Sequence, residues 1–283
     1  MATTDPEGWY IDGVALAEHA QVEDYGGWDD TPAVRGDDVT LLGRHGDLWR
    51  RKRYGPGRKA LRMVVVGTGP DGQIPHAGTA QRAAYESHLD EVLRLLAPRH
   101  RPLEVVRVYA DGTRRVAQCD VVTAIAPEPI GLCAGRITVE LSIPGAFWAD
   151  VDATTYRMPL TTTTGPQVVE AFGLSGQTAP CQDAVVAVTG PVVGVSVHDS
   201  LTGSGWSWPG TLVPGQVLVV DSGDWSATVD GASVLPDIAM QGQVLLEVSP
   251  APSASRGPDL VVQWGGATTS SSMTVTTRRR WVR

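Results

Sequence analysis

Across residues 136–150 apolar and polar positions alternate: Ile137, Val139, Leu141 and Ile143 take every second place, with Thr138, Glu140 and Ser142 between them. A period of two predicts a half-buried strand, because successive side chains of an extended chain point to opposite faces. Pro144 and Gly145 end that strand. Phe147 and Trp148 follow as an aromatic anchor, and composition changes at the same place. The pattern therefore divides the chain into a first domain, 1–148, and a second, 149–283.

The first half shows further strands and one helix. Residues 9–11 read as a strand, Asp12-Gly13 as a hairpin turn, and Val14, Leu16 and Val22 as the start of its partner. Residues 39–42 and 61–66 are short apolar runs that read as buried strands. Between them the chain predicts a basic loop, 50–59, with Gly55-Pro56-Gly57 at its tip. Tyr85, Leu89, Val92, Leu93 and Leu96 recur at helical spacing, so a helix is expected over 79–97, capped by Thr79 and stopped by Pro98. A hairpin follows, with arms 103–109 and 114–123 about a turn at Asp111-Gly112-Thr113.

Beyond residue 148 no helical period is strong. Short apolar runs recur at 168–172, 184–188, 192–197, 217–220, 225–229, 244–248, 260–264 and 273–277, separated by Gly, Pro, Asp and Ser. That rhythm predicts an antiparallel sandwich or jelly roll, with Asp230-Gly231 as one hairpin turn. The fold class expected is mainly β: an α+β first domain with one helix, then a β-sandwich.

Charge is distributed unevenly. Ten acids face one base, Arg35, in residues 1–43. Eight bases face one acid, Asp47, in residues 44–63. Residues 149–277 carry eleven acids and two bases. The formal net charge of −8 disfavours general affinity for nucleic acid. The beginning, Met1 to Glu7, has neither a basic start nor an apolar run, so no secretory signal is expected. No apolar stretch approaches the ~18 residues of a membrane span, and synthesis in a cytoplasm is the simple expectation. Cys119, Cys133 and Cys181 are an odd, widely spaced set that reads as buried apolar residues, not as a disulfide or zinc framework.

Motifs for chemistry are sparse. The six His, at 19, 45, 76, 88, 100 and 198, show no metal-ligand spacing, and no metal or cofactor is expected. His198, Asp199 and Ser200 are consecutive, so on a strand they alternate between faces, whereas a triad draws its members from separate elements. The glycines at 67, 69 and 72 resemble a phosphate loop but lack its Lys, and predict a surface turn. Neither a nucleophile elbow nor a Walker motif occurs, so the chain is not expected to be an enzyme. Trp206 and Trp208, at strand spacing among Gly and Ser, leave one binding alternative open: a sugar-stacking platform on a module that contacts the host cell wall.

Several separated features together resemble the siphophage distal tail protein family. The start, Trp9-Tyr10-Ile11-Asp12-Gly13-Val14, is similar to that family's opening strand and turn. Thr31-Pro32-Ala33-Val34-Arg35-Gly36 is similar to its "tP..rG" loop. The single helix falls where the family places its own. Residues 138–148 are similar to the "v.l.iPdpfW" junction, with Gly145 where Asp is common. The end, Val275 to Trp281, is similar to a basic-aromatic final strand.

That resemblance implies a structural protein of the virion tail, assembled in the host cytoplasm as a hexameric ring at the distal end of a non-contractile tail. The first domain would build the ring and the second would be a galectin-like sandwich. Partners would be other copies of the chain, the tail-tube protein, the baseplate hub or tail-tip protein and the tape-measure protein. DNA would pass only as cargo through the lumen, which an acidic ring would not bind. Ring closure needs two unlike patches on one protomer. Arg50, Arg51, Lys52, Arg53, Arg58 and Lys59 are expected to dock on a neighbour's acidic block, represented by Asp29, Asp30, Asp37 and Asp38. Pro144, Phe147 and Trp148 are expected to anchor the domain junction.

Overall fold

The computed structural model describes residues 6–24, 28, 30–36, 39–40, 47–48, 52–68, 73, 78–97, 100–160, 166–242 and 244–282, and not the side chains of Asp24, Val39, Thr40, Asp47, Leu48 and Phe172. The chain forms two compact units, Met1–Val151 with Val282–Arg283, and Asp152–Trp281. It is mainly β, with antiparallel strands throughout and one α-helix among the described residues.

In the first unit the strands run Val14–Ala15, Gly8–Ile11, Leu103–Val108, Arg114–Val121, Ala134–Ile143, Gly57–Val66 and Gln21–Asp24 across the sheet. The ten-residue strands Gly57–Val66 and Ala134–Ile143 pair rung for rung, from Ile143 opposite Gly57 to Ala134 opposite Val66. Alternation decides which side is buried: Leu61, Met63, Val65, Ile137, Val139, Leu141 and Ile143 all point into the core. Asp12-Gly13 turns the first hairpin, with φ of 49° and 83°, and Ile11 lies opposite Val14. Both residues thus occupy the left-handed region, as the tight hairpin turn requires.

The strand ends at Ile143, directly before Pro144 as expected, but the sheet continues beyond it. Ser142 lies opposite Asp120, and further along Ala149 lies opposite Val116. Seven residues on one strand thus span four on the other, so three extra residues loop out in a wide bulge and pairing resumes at Trp148–Asp150. Pro144 and Gly145 start the bulge, Ala146 turns through φ 65°, and Phe147 and Trp148 are carried to buried positions. Trp148 meets Trp28 at 5.4 Å and Trp9 at 6.3 Å, and Trp9 meets Trp28 edge-on at 4.6 Å. Three indoles from distant parts of the chain therefore fill one core. The Trp28 indole N–H donates to the carbonyl of Ala60, which satisfies its polar edge on burial.

The helix spans Gly78–Leu96, so Thr79 lies inside it and is not its cap. Its most buried side chains are Val92, Leu95 and Leu96; Leu93, Leu89 and Tyr85 are half-buried. Two glycines admit the helix to the sheet. A Cβ at Gly67 would lie 2.0 Å from the backbone oxygen of Gln81, and one at Gly135 would lie 2.4 Å from the Tyr85 hydroxyl. Gly67 is buried beneath the helix, not in a surface turn; the glycines at 69 and 72 lie outside the described residues.

The second unit is a sandwich. One sheet orders Thr154–Pro159, Ser272–Thr277, Val185–Thr189, Val217–Asp221, Ser226–Val229 and Ala232–Ser233. The other orders Gln167–Glu170, Asp259–Gly265, Val192–Asp199, Gly205–Leu212 and Ala239–Gln241. Apolar side chains from both sheets share one core, including Val186, Val220, Met273, Val197, Trp206 and Val262. The run at 244–248 is buried but forms no strand; its backbone pairs only through a bridge between Val248 and Cys181. Strands also form at Thr154–Pro159, Gly205–Leu212 and Ala239–Gln241, where apolar residues are too dispersed to predict them.

Candidate assembly surfaces

The acidic and basic segments meet within one chain. Val34–Arg35 pairs with Arg53–Tyr54, Val34 opposite Tyr54 and Arg35 opposite Arg53. Val39–Thr40 pairs with Asp47–Leu48. Gly55-Pro56-Gly57 is therefore not the tip of a loop: it lies between the strand Arg53–Tyr54 and the strand that Gly57 opens, Gly57–Val66. Among the described residues, neither ladder joins another sheet, so Val34–Arg35 and Arg53–Tyr54 form a two-stranded arm of their own. Its base is fixed by the Gly55 N–H, which donates to the carbonyl of Ala33 at 2.7 Å. Val34 and Tyr54 are 59% and 42% exposed at directly opposed positions. A two-stranded ribbon with exposed apolar side chains and unpaired edges is a ready surface for another protein chain.

The basic residues divide by position. Lys52 and Arg53 are exposed on the arm. Arg58 is exposed on the long strand Gly57–Val66, with its guanidinium 3.4 Å from Glu140. Lys59 corrects the expected docking set. It is only 3% exposed, on the inward face of that strand, and its ammonium donates to the carbonyl of Asp30 at 2.7 Å. A cation held this way fixes the chain near Trp28 and does not reach a neighbour. Asp30 itself is exposed. Arg50, Arg51, Asp29, Asp37 and Asp38 lie outside the described residues.

Phe147 leads from the bulge to this arm. Its ring meets Tyr54 edge to face, with centres 5.2 Å apart. Pro144 is exposed at the start of the bulge, while Phe147 and Trp148 are buried in the first unit. Sequence reasoning missed the part played by Trp28, which sits among acids and glycines where no apolar period marks it.

The proposed sugar platform does not form. Trp206 is fully buried and Trp208 is 6% exposed, both on the inward face of Gly205–Leu212 and within the sandwich core. A stacked sugar needs an open indole face, which neither presents. His198 and Asp199 end the strand Val192–Asp199, and Ser200 opens the turn that follows. Asp199 is buried, and its carboxylate accepts from the backbone of Leu201, Thr202 and Ser249 and from the Thr202 hydroxyl. Burial lowers the pKa of His198 below the ordinary imidazole value. Cys119, Cys133 and Cys181 are free thiols, and burial pushes both Cys119 and Cys181 up to about 12. Among the described residues, no group of three or more His, Cys, Asp or Glu is placed to hold a metal ion, and no helix is long and apolar enough to cross a membrane.

No protein-family model matches the chain, and no curated protein matches its sequence. Among solved structures it is similar to the SPP1 Dit protein (gp 19.1), described as a paradigm of the hub adsorption apparatus in phages that infect Gram-positive bacteria. The likeness covers 97% of this chain and 99% of that one, with a TM-score of 0.63 and 13% identity. The two share a fold across both units. Chains of the phage P2 baseplate in its activated conformation, with Ca or with Sr, overlap more loosely, with TM-scores of 0.38 and 0.37 at 6% and 7% identity. Those chains cover 96% of this one over 98% of their own length.

Proposed function

We propose that this chain is a structural protein of a phage tail, part of a baseplate or tail-tip hub, and that it acts by self-assembly and not by catalysis. The observation that carries this reading is the fold shared along nearly the whole length with a phage hub protein. Sequence order supports it as well, since the opening hairpin, the single helix and the Pro144–Trp148 junction follow the layout of distal tail proteins. In this reading the first unit closes into a ring, expected to hold six copies, and the arm is the part that reaches the neighbour. The exposed pair Val34 and Tyr54 supplies apolar area, and Lys52 and Arg53 beside it face acidic surface on the next copy. Rings of this kind use heterologous contacts, for which one protruding element and one unlike receiving surface suffice.

The remaining partners follow from that position: the tail tube on one side, the hub or tip protein and the tape measure on the other, with DNA as cargo. The chain's net charge of −8 suits a passage that does not retain DNA. The test is a variant with Lys52→Glu and Arg53→Glu, alongside one with Val34→Ser and Tyr54→Ser. Oligomer mass is read by sedimentation at low and high salt. The reading predicts dissociation of the oligomer in both, with the unaltered protein's assembly weakened by salt. Unchanged oligomers in both variants would overturn the arm's role.

A further inference from the structure

His19 follows the short 3₁₀ turn Leu16–Glu18, at the end of the first hairpin, and His88 lies midway along the helix Gly78–Leu96. Sixty-nine residues separate them in sequence, yet their Nδ1 atoms stand 3.2 Å apart. The other ring nitrogen of His88, Nε2, lies 3.2 Å from the carbonyl oxygen of Thr68 and 3.4 Å from its hydroxyl. A carbonyl only accepts, so Nε2 of the neutral ring carries the proton and Nδ1 presents its lone pair. His19 Nδ1–H then donates to that lone pair.

We propose that the two Nδ1 atoms form a binding site for a divalent transition-metal cation of the zinc class. Bonds of about 2.0–2.1 Å to a tetrahedral ion place two ligand nitrogens about 3.3 Å apart, close to the separation already present. The contact from His88 Nε2 to a backbone carbonyl is the outer-shell support that metal-bound imidazoles use to fix tautomer and ring direction. Beside His19 a cavity of about 540 Å³, lined also by Leu16, Glu18, Gln21, Val64 and Thr68, leaves space for water as the remaining ligands.

Binding replaces a shared proton with the cation. Each ring pivots about its Cβ–Cγ bond, so the two lone pairs turn from facing each other to facing one point. The proton on His19 Nδ1 moves through solvent to its Nε2, no net proton is released, and nothing is oxidised or reduced. The ion would tie the first hairpin to the helix, two elements that the sequence leaves far apart. Nothing in this site depends on ring assembly, so its test stands apart from that of the proposed function.

The test titrates the full chain with zinc chloride in a non-chelating buffer and follows heat. One ion per chain is expected, with affinity weakened at least tenfold by His19→Gln and by His88→Gln, and unchanged by His100→Gln at an exposed position. Footprinting of the unaltered chain with diethyl pyrocarbonate guards against a variant that folds poorly. Zinc should protect His19 and His88 and leave His100 reactive. Absence of zinc uptake, equal uptake by the variants, or protection that spares His19 and His88 would overturn the site.

Discussion

Tyr54 and Phe147 meet edge to face with ring centres 5.2 Å apart, and this contact ties the base of the arm to the bulge that follows Ile143. Phe147 is buried and Tyr54 is partly exposed, so the two ends of the contact carry different weights. Phe147→Ala should cost about 3 kcal/mol of stability, since it empties a core position. Tyr54→Ala should cost only about 1 kcal/mol, the value of an aromatic pair. Both should loosen the arm. Trypsin should cleave after Arg35 and Arg53 faster in either variant than in the unaltered chain, and equal cleavage rates would show that the contact does not hold the arm.

Gly67 and Gly135 both let the helix approach the sheet, but their neighbours differ in kind. A Cβ at Gly67 meets the backbone of Gln81, which moves only with the helix, whereas one at Gly135 meets the end of the Tyr85 side chain. Gly67→Ala should therefore destabilise by about 2–3 kcal/mol, and Gly135→Ala by about 1 kcal/mol or less. Urea unfolding followed by circular dichroism measures both. The reverse order would contradict the helix placement.

The three thiols should separate by reactivity. Thiolate is the attacking form, and burial holds Cys119 and Cys181 near 12, four units above a working pH of about 8. Below its pKa a thiol stays protonated, so lowering the pH further only deepens the protection. Cys133, half-buried, should react alone with a disulfide reagent in the native protein, and all three after unfolding. Rapid native reaction of Cys119 or Cys181 would contradict the burial.

Much of the fold is legible where one period dominates. The alternation at 137–143 gives a strand whose inward residues are the expected ones, and the two Asp-Gly pairs at 12–13 and 230–231 give hairpin turns with φ above zero at both positions. The helix is legible in extent, yet its stripe is shifted: the spacing predicts Leu93, but Leu95 is buried and Leu93 only half-buried. Local signals fail where long-range pairing decides. Gly55-Pro56-Gly57 carries strong turn chemistry, but it joins the strand Arg53–Tyr54 to a ten-residue strand that Gly57 opens. Pro144 and Gly145 do end the strand, but the return to the same partner at Trp148–Asp150 depends on long-range pairing that no local signal shows.

The candidate surfaces are less legible than the fold. Lys59 reads as one more cation in a basic run, and only its place on the inward face of a strand removes it from solvent. Trp206 and Trp208 sit among small residues that suggest a loop, although alternate burial along Gly205–Leu212 turns both indoles inward. Trp28 and the His19–His88 contact have no local signature, since each depends on partners tens of residues away.

Electron microscopy of the purified full chain in negative stain tests the central claim most directly. The account predicts closed annuli with six-fold symmetry, each built from copies of this one chain. A sample that shows only single chains, and sediments as a monomer even at high concentration, would contradict it.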